Sequence, residues 1–204
     1  TVENSTIHNN QGYGIHATNC KVNIYNSQIT NTLNDCIAII GGETYINHCT
    51  IAQFYPFDGN RGAAFSFANN KNGTAYPITA CTIRNSIVTG YAEDVVMAYI
   101  SDTINSEFKF DHCMLRTPEI SDTVRCSNII WENTTDTIAT GHKNFQLIDS
   151  EKLKYDFRLT EISKAVNTAD ATTSLPSDRN ATPRDTKPDM GCYEYVDTAS
   201  EKNQ

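Results

Sequence analysis

A six-residue unit recurs along the first part of the chain and constrains the fold more than any other feature. The unit reads apolar, any, Asn or His, Ser or Cys, any, apolar, and it begins at residues 2, 24, 46, 83 and 110. The steps between these starts are 22, 22, 37 and 27 residues, so two repeats are bare and two carry insertions. A 22-residue repeat has too little apolar surface to fold alone, so it must stack on its neighbours.

A second apolar strand follows three of the units at a constant distance. Ile15, Ile37 and Val96 each lie eight residues after the last apolar residue of a unit. These segments alternate or are β-branched, which indicates strands and excludes helical solenoids, and the chain lacks the Leu framework of leucine-rich repeats. Strands of successive repeats are therefore expected to pair in parallel, roughly 4.8 Å apart. The pattern predicts an all-β parallel β-helix.

Equivalent positions of the repeat predict which side chains meet. The last apolar positions should form one buried stack of Ile7, Ile29, Ile51 and Val88. The third positions are Asn4, Asn26, His48, Asn85 and His112. Asn at three of these five favours a ladder of side-chain hydrogen bonds at a turn over a metal site. A sixth match at 124–129 begins 14 residues after the fifth, which suggests that the coils narrow or end there.

The seven cysteines do not form an obvious disulfide framework. Their number is odd, and the sequence has no CxxC motif. Cys49 and Cys113 occupy a repeat position at which other repeats carry Ser, and free cysteine is among the most buried residue types. The pattern predicts reduced, buried thiols, with Cys49 in the interior.

Two segments, ENSTIHNNQGYGIHA and YNSQITNTLNDCIAI, resemble the right-handed parallel β-helix proteins of the pectate-lyase-like superfamily, a likeness that covers roughly residues 1–130. Near the C-terminus, residues 189–194 (DMGCYE) resemble the D-[IM]-G-x-Y-E string that closes bacterial surface β-helix proteins, after DFRL at 156–159 and SKAVN at 163–167. Lys164 stands where that pattern has Pro, and Asn167 where it has Asp. The resemblance implies architecture and a secreted or bacterial cell-surface location more than a chemistry.

The resemblance and the repeat together give a domain plan. We expect an all-β, single-stranded right-handed parallel β-helix at 1–130, an irregular C-terminal capping segment at 131–195 and a disordered tail at 196–204. The cap should shield the last coil, because an open strand edge recruits other chains. Its charged residues are expected to form structural ion pairs and turn carboxylates: Asp156, Arg158, Arg184, Asp189 and Glu194.

Charge limits the partners of the chain. The net charge of −8 and the lack of a Lys/Arg-rich stretch disfavour nucleic acid, and they disfavour a polyanion unless a basic pocket or a bound cation reverses the local field. Neutral polysaccharides meet no such objection. The sequence also contains no apolar stretch long enough to form a transmembrane segment.

One constellation of acids and a base follows from the register. Asp35 and Asp94 each lie six residues after the end of a unit, and the insertion at 53–61 brings Asp58 and Arg61 between them. In the resembling enzymes, Asp pairs serve inverting hydrolysis, whereas lyases use calcium and a base; Ca²⁺ would therefore be needed only for a lyase, and no metal or other cofactor is otherwise expected. Turn formation and an ion pair between Asp58 and Arg61 are the stronger explanation of the same residues.

Aromatic residues beside these acids favour carbohydrate as the partner. Phe54 and Tyr91 each lie three residues after the end of a unit, so they should stack on adjacent coils, with Tyr55 and Phe57 nearby. Packing of the solenoid is the competing explanation. The sequence thus predicts a secreted or cell-surface β-helix domain that contacts carbohydrate, with a polysaccharide lyase or glycoside hydrolase fragment and a structural or adhesive stalk as alternatives. Whether the chain is an enzyme stays open.

Overall fold

The computed structural model describes residues 1–132 and 141–197. Within them the chain is all-β, with one short 3-10 helix at Gly141–Asn144 and no α-helix. The strands of the first part are β1 (Val2–Glu3), β2 (Thr6–His8), β3 (Ile15–Tyr25), β4 (Gln28–Thr30), β5 (Ile37–Asn47), β6 (Thr50–Gln53), β7 (Phe65–Ala68) and β8 (Asn70–Lys71). Those of the second part are β9 (Thr74–Ala75), β10 (Ile78–Arg84), β11 (Ile87–Gly90), β12 (Val96–Tyr99), β13 (Ser106–Leu115), β14 (Cys126–Trp131), β15 (Phe145–Asp149) and β16 (Lys154–Leu159). Residues 198–204 of the predicted tail lie outside the described residues.

One large curled sheet with parallel pairing dominates the fold. Its strands follow the order β1-β3-β5-β10-β13-β11-β6-β4-β2, while β7 joins β5 to β12 and β14 adds to β13. Each pairing within it is parallel. Because neighbouring strands belong to successive repeats, the chain builds a solenoid-like stack with its apolar core inside the curl.

The predicted apolar stack is confirmed. Ile7 pairs with Ile29, Ile29 with Ile51, and Ile51 with Val88. The last three side chains are completely buried, whereas Ile7 is partly buried at the end of the stack. The second strand of the repeat also keeps its register. Ile37 pairs with Phe65, and Phe65 pairs with Val96; the sequence spacing had not identified Phe65 as the residue between them.

The Asn and His residues at the third position of the repeat turn the backbone. Their φ angles all lie between 43° and 52°: Asn4, Asn26, His48, Asn85 and His112. This left-handed region is costly for most L-residues, and Asn and His are enriched there. The third position of the repeat therefore carries Asn or His because these residues tolerate the left-handed backbone conformation. Within residues 1–132 and 141–197 their side chains do not form the predicted ladder and bond to other parts of the chain, as when Asn26 Nδ2 donates to the Ser177 carbonyl at 2.8 Å.

The sixth repeat begins two residues later than the sequence match suggested. Phe110 pairs with Cys126, and Leu115 pairs with Trp131, so the unit spans 126–131. Asn128 then holds the third position, with φ of 55°. Val124 is instead 81% exposed and lies in a turn. Its backbone N–H donates to the Asp122 carboxylate at 3.1 Å. Because of this turn, β14 begins at Cys126, and the predicted unit at 124–129 was placed two residues too early.

The seven cysteines are free, and six of them are buried. Cys49 is fully buried, as predicted, and its thiol donates to the Ile24 carbonyl at 3.6 Å. Burial raises the pKa of this thiol. The six buried thiols thus serve as small core side chains.

The C-terminal segment forms a second hydrophobic core on the outside of the sheet. After the antiparallel β15–β16 hairpin it runs irregularly, and Phe157 and Met190 pack on the outward side chains of Ala52, Ile87 and Met114. Hydrogen bonds tie it to several successive coils, from Arg179 with the Ser5 carbonyl to Asp170 N–H with the Asn85 side chain. The segment therefore lies along the flank of the stack, which differs from the position expected of a cap over the last coil.

The charged residues of this segment have the structural roles that were predicted. Arg184 and Glu194 form a buried pair, with Nη1 to Oε2 at 2.7 Å. Asp156 and Arg158 pair in a more exposed position at 2.5 Å. Asp189 is buried and accepts backbone N–H bonds from Asn167 at 2.6 Å and Tyr195 at 2.5 Å. Burial raises the pKa of Asp189 to about 6.

Candidate functional site

The insertion after β6 forms one wall of a cavity of about 260 Å³. Asp35, Arg61 and Asp94 line it together, as the register had suggested. The remaining lining residues are Gln53, Gly59, Gly62, Ala63, Ala92, Val95, Met97 and Tyr99. Residues from three neighbouring coils thus converge on one concave surface.

Asp35 is held firmly at the base of this wall. Its Oδ1 accepts a hydrogen bond from the Ala63 N–H at 2.7 Å, and its Oδ2 accepts one from Ser66 Oγ at 2.5 Å. Gly62 packs so closely that an added Cβ would lie 2.4 Å from the Asp35 backbone nitrogen. Glycine is therefore required here by the close approach of two chain segments.

Asp94 lies two coils away from Asp35. Strand pairing aligns Ile37 with Phe65 and Phe65 with Val96, so the equivalent positions two residues earlier are Asp35, Ala63 and Asp94. Two strand spacings correspond to roughly 10 Å between their backbones. Asp94 Oδ1 accepts a hydrogen bond from the Val96 N–H at 3.1 Å, so the Asp94 carboxylate caps the start of β12.

Arg61 and Asp58 have different positions in the insertion. The Arg61 guanidinium lies 5.0 Å from the centroid of the Tyr91 ring, a cation–π distance. Its Nη1 also donates to the Asp58 carbonyl at 3.0 Å. The Asp58 carboxylate accepts from the Asn60 N–H at 2.8 Å and so shapes the turn that leads into the cavity. Arg61 thus lines the same cavity as the two carboxylates, and Asp58 lies in the adjoining turn.

The four predicted aromatic residues divide by exposure. Phe54 and Tyr91 are in contact as expected, with ring centroids 5.0 Å apart. Phe54 is nevertheless fully buried, because Phe157 of the C-terminal segment stacks on it at 6.3 Å. Tyr55 is also buried, whereas Phe57 is 64% and Tyr91 38% exposed. Phe54 therefore supports the wall from inside and offers no face to a ligand, which corrects its expected role.

Tyr99 is a lining residue that the sequence interpretation missed. It is 62% exposed, lies on β12 and lines the same cavity as Arg61. Val96 packs against the core, and side chains alternate along a strand, so Met97 and Tyr99 face outward. The alternation after Val96 was the signal that would have found Tyr99.

Metal binding finds little support among the described residues. No three His, Cys, Asp or Glu side chains in residues 1–132 and 141–197 form a group that could hold an ion. His48 Nε2 lies 2.9 Å from Ser174 Oγ, and burial lowers the pKa of His48 to about 3. His112 Nδ1 lies 3.0 Å from the Asp111 carboxylate. Each of these histidines therefore has a local structural partner.

A second cavity of about 460 Å³ lies against the C-terminal segment. Arg158, Asp178 and Tyr193 line it, but Arg158 pairs with Asp156, and the Asp178 carboxylate accepts backbone N–H bonds, as from Glu194 at 2.9 Å. Its polar groups thus stabilise turns of that segment. The smaller cavity is the better candidate site because its groups come from neighbouring coils and adjoin exposed aromatic rings.

A scan against protein-family models gives no match, and no curated protein sequence matches the chain. No helix within the described residues has the length and hydropathy needed to span a bilayer.

Proposed function

We propose that this chain is a secreted or cell-surface domain that binds carbohydrate at the cavity lined by Asp35, Arg61 and Asp94. The observation that carries the proposal is the combination, in one concave surface, of two carboxylates, a guanidinium and the exposed Tyr99 ring. Ligand pockets typically combine apolar faces with a few convergent polar groups. A sugar presents the complementary pattern of C–H faces and hydroxyl groups.

The proposal includes the finer architecture, a right-handed parallel β-helix of the pectate-lyase-like kind. Parallel pairing of successive repeats and left-handed corner residues in each coil support it. The crossover rule supports the right hand, because connections between parallel strands of one sheet are nearly always right-handed. The likeness of the closing DMGCYE segment to bacterial surface proteins supports the proposed location.

Each group in the site has a distinct part in binding. Tyr99 offers its ring face for stacking on a sugar, and Tyr91, at the edge of the site, contacts the Arg61 guanidinium through its ring. The carboxylate of Asp94 accepts hydrogen bonds from sugar hydroxyls, and the guanidinium of Arg61 donates to ring or hydroxyl oxygens. Asp35 accepts hydrogen bonds from Ala63 and Ser66 and so holds the base of the insertion in place.

Binding is tested by calorimetry with cellohexaose, xylohexaose, mannohexaose and hexagalacturonate. We expect at least one hexasaccharide to bind, and we expect Tyr99→Ala and Asp94→Asn each to weaken that binding on the order of tenfold, a loss of about 1.4 kcal/mol. Tyr13→Ala removes an aromatic ring that is 41% exposed elsewhere and should leave affinity unchanged. Binding that survives Tyr99→Ala would refute the site, and a panel without any binding would favour the structural or adhesive stalk.

A glycoside hydrolase is the second candidate, favoured by the spacing of Asp35 and Asp94. Inverting hydrolases separate their carboxyl groups by about 6.5–9.5 Å, and the backbones of Asp35 and Asp94 lie two strand spacings, roughly 10 Å, apart, a separation from which the two side chains can reach that range. A lyase fits less well, because both oxygens of Asp35 and Oδ1 of Asp94 already accept protein hydrogen bonds, which leaves fewer free lone pairs for Ca²⁺. Product release from the same hexasaccharides in the presence of a chelator, abolished by Asp94→Asn, would establish hydrolysis.

A further inference from the structure

The lining of the candidate site carries an excess of negative charge. It contains two carboxylates, those of Asp35 and Asp94, and one guanidinium, that of Arg61. Two further acids adjoin it: Asp58, in the turn that leads into the cavity, and the exposed Glu93, next to Asp94. The chain has a net charge of −8, so it supplies no overall positive field that would offset this local excess.

The two carboxylates of the lining have no charged partner among residues 1–132 and 141–197. The ion pairs within 4.0 Å in this part of the chain all involve other acids. Asp35 accepts hydrogen bonds from two neutral donors, the Ala63 N–H and the Ser66 hydroxyl. Asp94 accepts one from the Val96 N–H through Oδ1, which leaves Oδ2 available to a ligand.

The single cation of the lining is engaged outside the two carboxylates. The Arg61 guanidinium lies 5.0 Å from the centroid of the Tyr91 ring, and its Nη1 donates to the Asp58 carbonyl at 3.0 Å. These contacts hold the guanidinium against the wall of the cavity. Arg61 therefore reduces the negative potential of the site without pairing with Asp35 or Asp94.

The exposed Tyr99 ring is an independent feature that favours a cation. Tyr99 is 62% exposed and lines the same cavity as Asp94. The face of an aromatic ring attracts organic ammonium groups, and carboxylates attract the same groups by Coulomb interaction. The ring face also suits the C–H face of a sugar. A sugar that bears an ammonium group therefore matches both kinds of side chain.

We propose that the candidate site selects a glycan with protonated amino groups, namely a chain of glucosamine residues, over the same glycan with hydroxyl groups. A primary ammonium has three donors and no acceptor, so it complements the free Oδ2 of Asp94, while the sugar ring stacks on Tyr99. Acetylation of the amine removes its charge, and a uronate brings charge of the wrong sign. This inference rests on the proposed function, since it names the class of carbohydrate that the site takes.

Calorimetry at pH 6 in the presence of a chelator tests the selection. The probe is a glucosamine hexasaccharide, which differs from cellohexaose only by an ammonium group in place of one hydroxyl on each sugar. We expect it to bind about tenfold more tightly than cellohexaose. The N-acetylglucosamine hexasaccharide should bind like cellohexaose, and hexagalacturonate should bind most weakly.

The outcomes separate this inference from the proposed function. Equal affinities for the glucosamine hexasaccharide and cellohexaose would refute the selection while carbohydrate binding stands. If none of these hexasaccharides binds, both the selection and the proposed function fail.

Substitutions in the site should change the ratio of the two affinities, which cancels any general weakening of binding. Asp94→Asn keeps an acceptor for the Val96 N–H but loses the charge, so we expect the ratio to fall to about twofold or less. Arg61→Gln removes the opposing cation and should raise the ratio. The matched control Glu3→Gln removes an exposed carboxyl on β1 and should retain the wild-type ratio. An unchanged ratio in Asp94→Asn would contradict the role of its charge.

Hexalysine tests whether the acidic protein simply attracts any polycation. It carries an ammonium group on each residue but no sugar ring, so we expect it to bind at least about tenfold more weakly than the glucosamine hexasaccharide. Tyr99→Ala should weaken binding of the hexasaccharide and leave that of hexalysine unchanged. Equally tight binding of hexalysine would overturn the proposal, because the site would then recognise charge without carbohydrate.

Discussion

At the scale of single residues, the corner position of the repeat does two jobs at once. Asn85 adopts φ of 47°, which turns the coil, and its side chain is fully buried. Its Nδ2 donates to Thr173 Oγ1 at 3.1 Å and Asn47 Oδ1 at 3.0 Å, and its Oδ1 accepts from the Asp170 N–H at 2.8 Å. Backbone conformation and docking of the C-terminal segment therefore depend on the same side chain.

Substitutions at Asn85 should separate these two roles. Asn85→Ala loses the buried hydrogen bonds and places Ala in the left-handed region, so we expect a loss of about 2–4 kcal/mol in the free energy of unfolding. Asn85→Gly loses the same bonds without the backbone penalty and should be about 1 kcal/mol less destabilising. Urea denaturation measures both. Equal losses for the two variants would show that the left-handed backbone conformation of residue 85 does not contribute to the loss of stability.

The site residues show how far residue spacing reaches. Asp35, Arg61 and Asp94 were predicted to converge because the repeat aligns their coils, and they line one cavity. Phe54 was assigned to the surface by the same spacing, yet it is covered by Phe157, about a hundred residues further along the chain. Spacing finds neighbours in the stack but not the segment that later covers them.

At the scale of elements, the C-terminal segment acts as an outer layer on the β4-β6-β11 side of the sheet. Arg184 joins the two, since its Nη1 pairs with Glu194 at 2.7 Å and its Nη2 donates to Asn26 Oδ1 at 3.3 Å. The side chains of Arg184 and Glu194 are only 2% and 7% exposed. The pair is thus buried between the sheet and its outer layer.

Removal of Arg184 should therefore be costly. Arg184→Met leaves Glu194 as an unpaired buried carboxylate, and we expect a loss of about 3–5 kcal/mol in unfolding free energy. The matched control is Lys21→Met, which breaks an exposed pair with Glu43 and should change stability by at most about 1 kcal/mol. Chemical denaturation compares the two variants. Similar small losses for both would mean that Arg184 does not secure the outer layer.

At the scale of the whole molecule, buried thiols link stability to alkaline pH. Cys36, Cys81 and Cys113 lie in the core of the coil stack, and burial raises the pKa of each thiol to about 12. In the unfolded chain these thiols ionise near pH 9. The folded state therefore binds more protons than the unfolded state between pH 9 and pH 12.

The sign of this effect predicts alkaline destabilisation. The contribution of each buried thiol is fully present below pH 9 and is lost as pH rises toward 12, at about 1.4 kcal/mol per pH unit and thiol. Urea unfolding at pH 8, 9 and 10 under reducing conditions should show this decline. Cys81→Ala should reduce the slope, whereas Cys20→Ala, at an exposed position, should not. An unchanged slope in Cys81→Ala would exclude the thiols as its cause.

Local spacing by itself determined the strand class, the register and the stacked core, because parallel repeats bring equivalent residues such as Ile29 and Ile51 together and strand alternation decides which side they face. Tertiary structure alone decided where the C-terminal segment lies, and with it the burial of Phe54 beneath Phe157. The physical reason is the separation along the sequence of the residues that make contact. A repeat encodes contacts at its own period, whereas the position of an irregular segment depends on apolar and polar groups that complement each other across more than a hundred residues, as between Asn26 and Ser177.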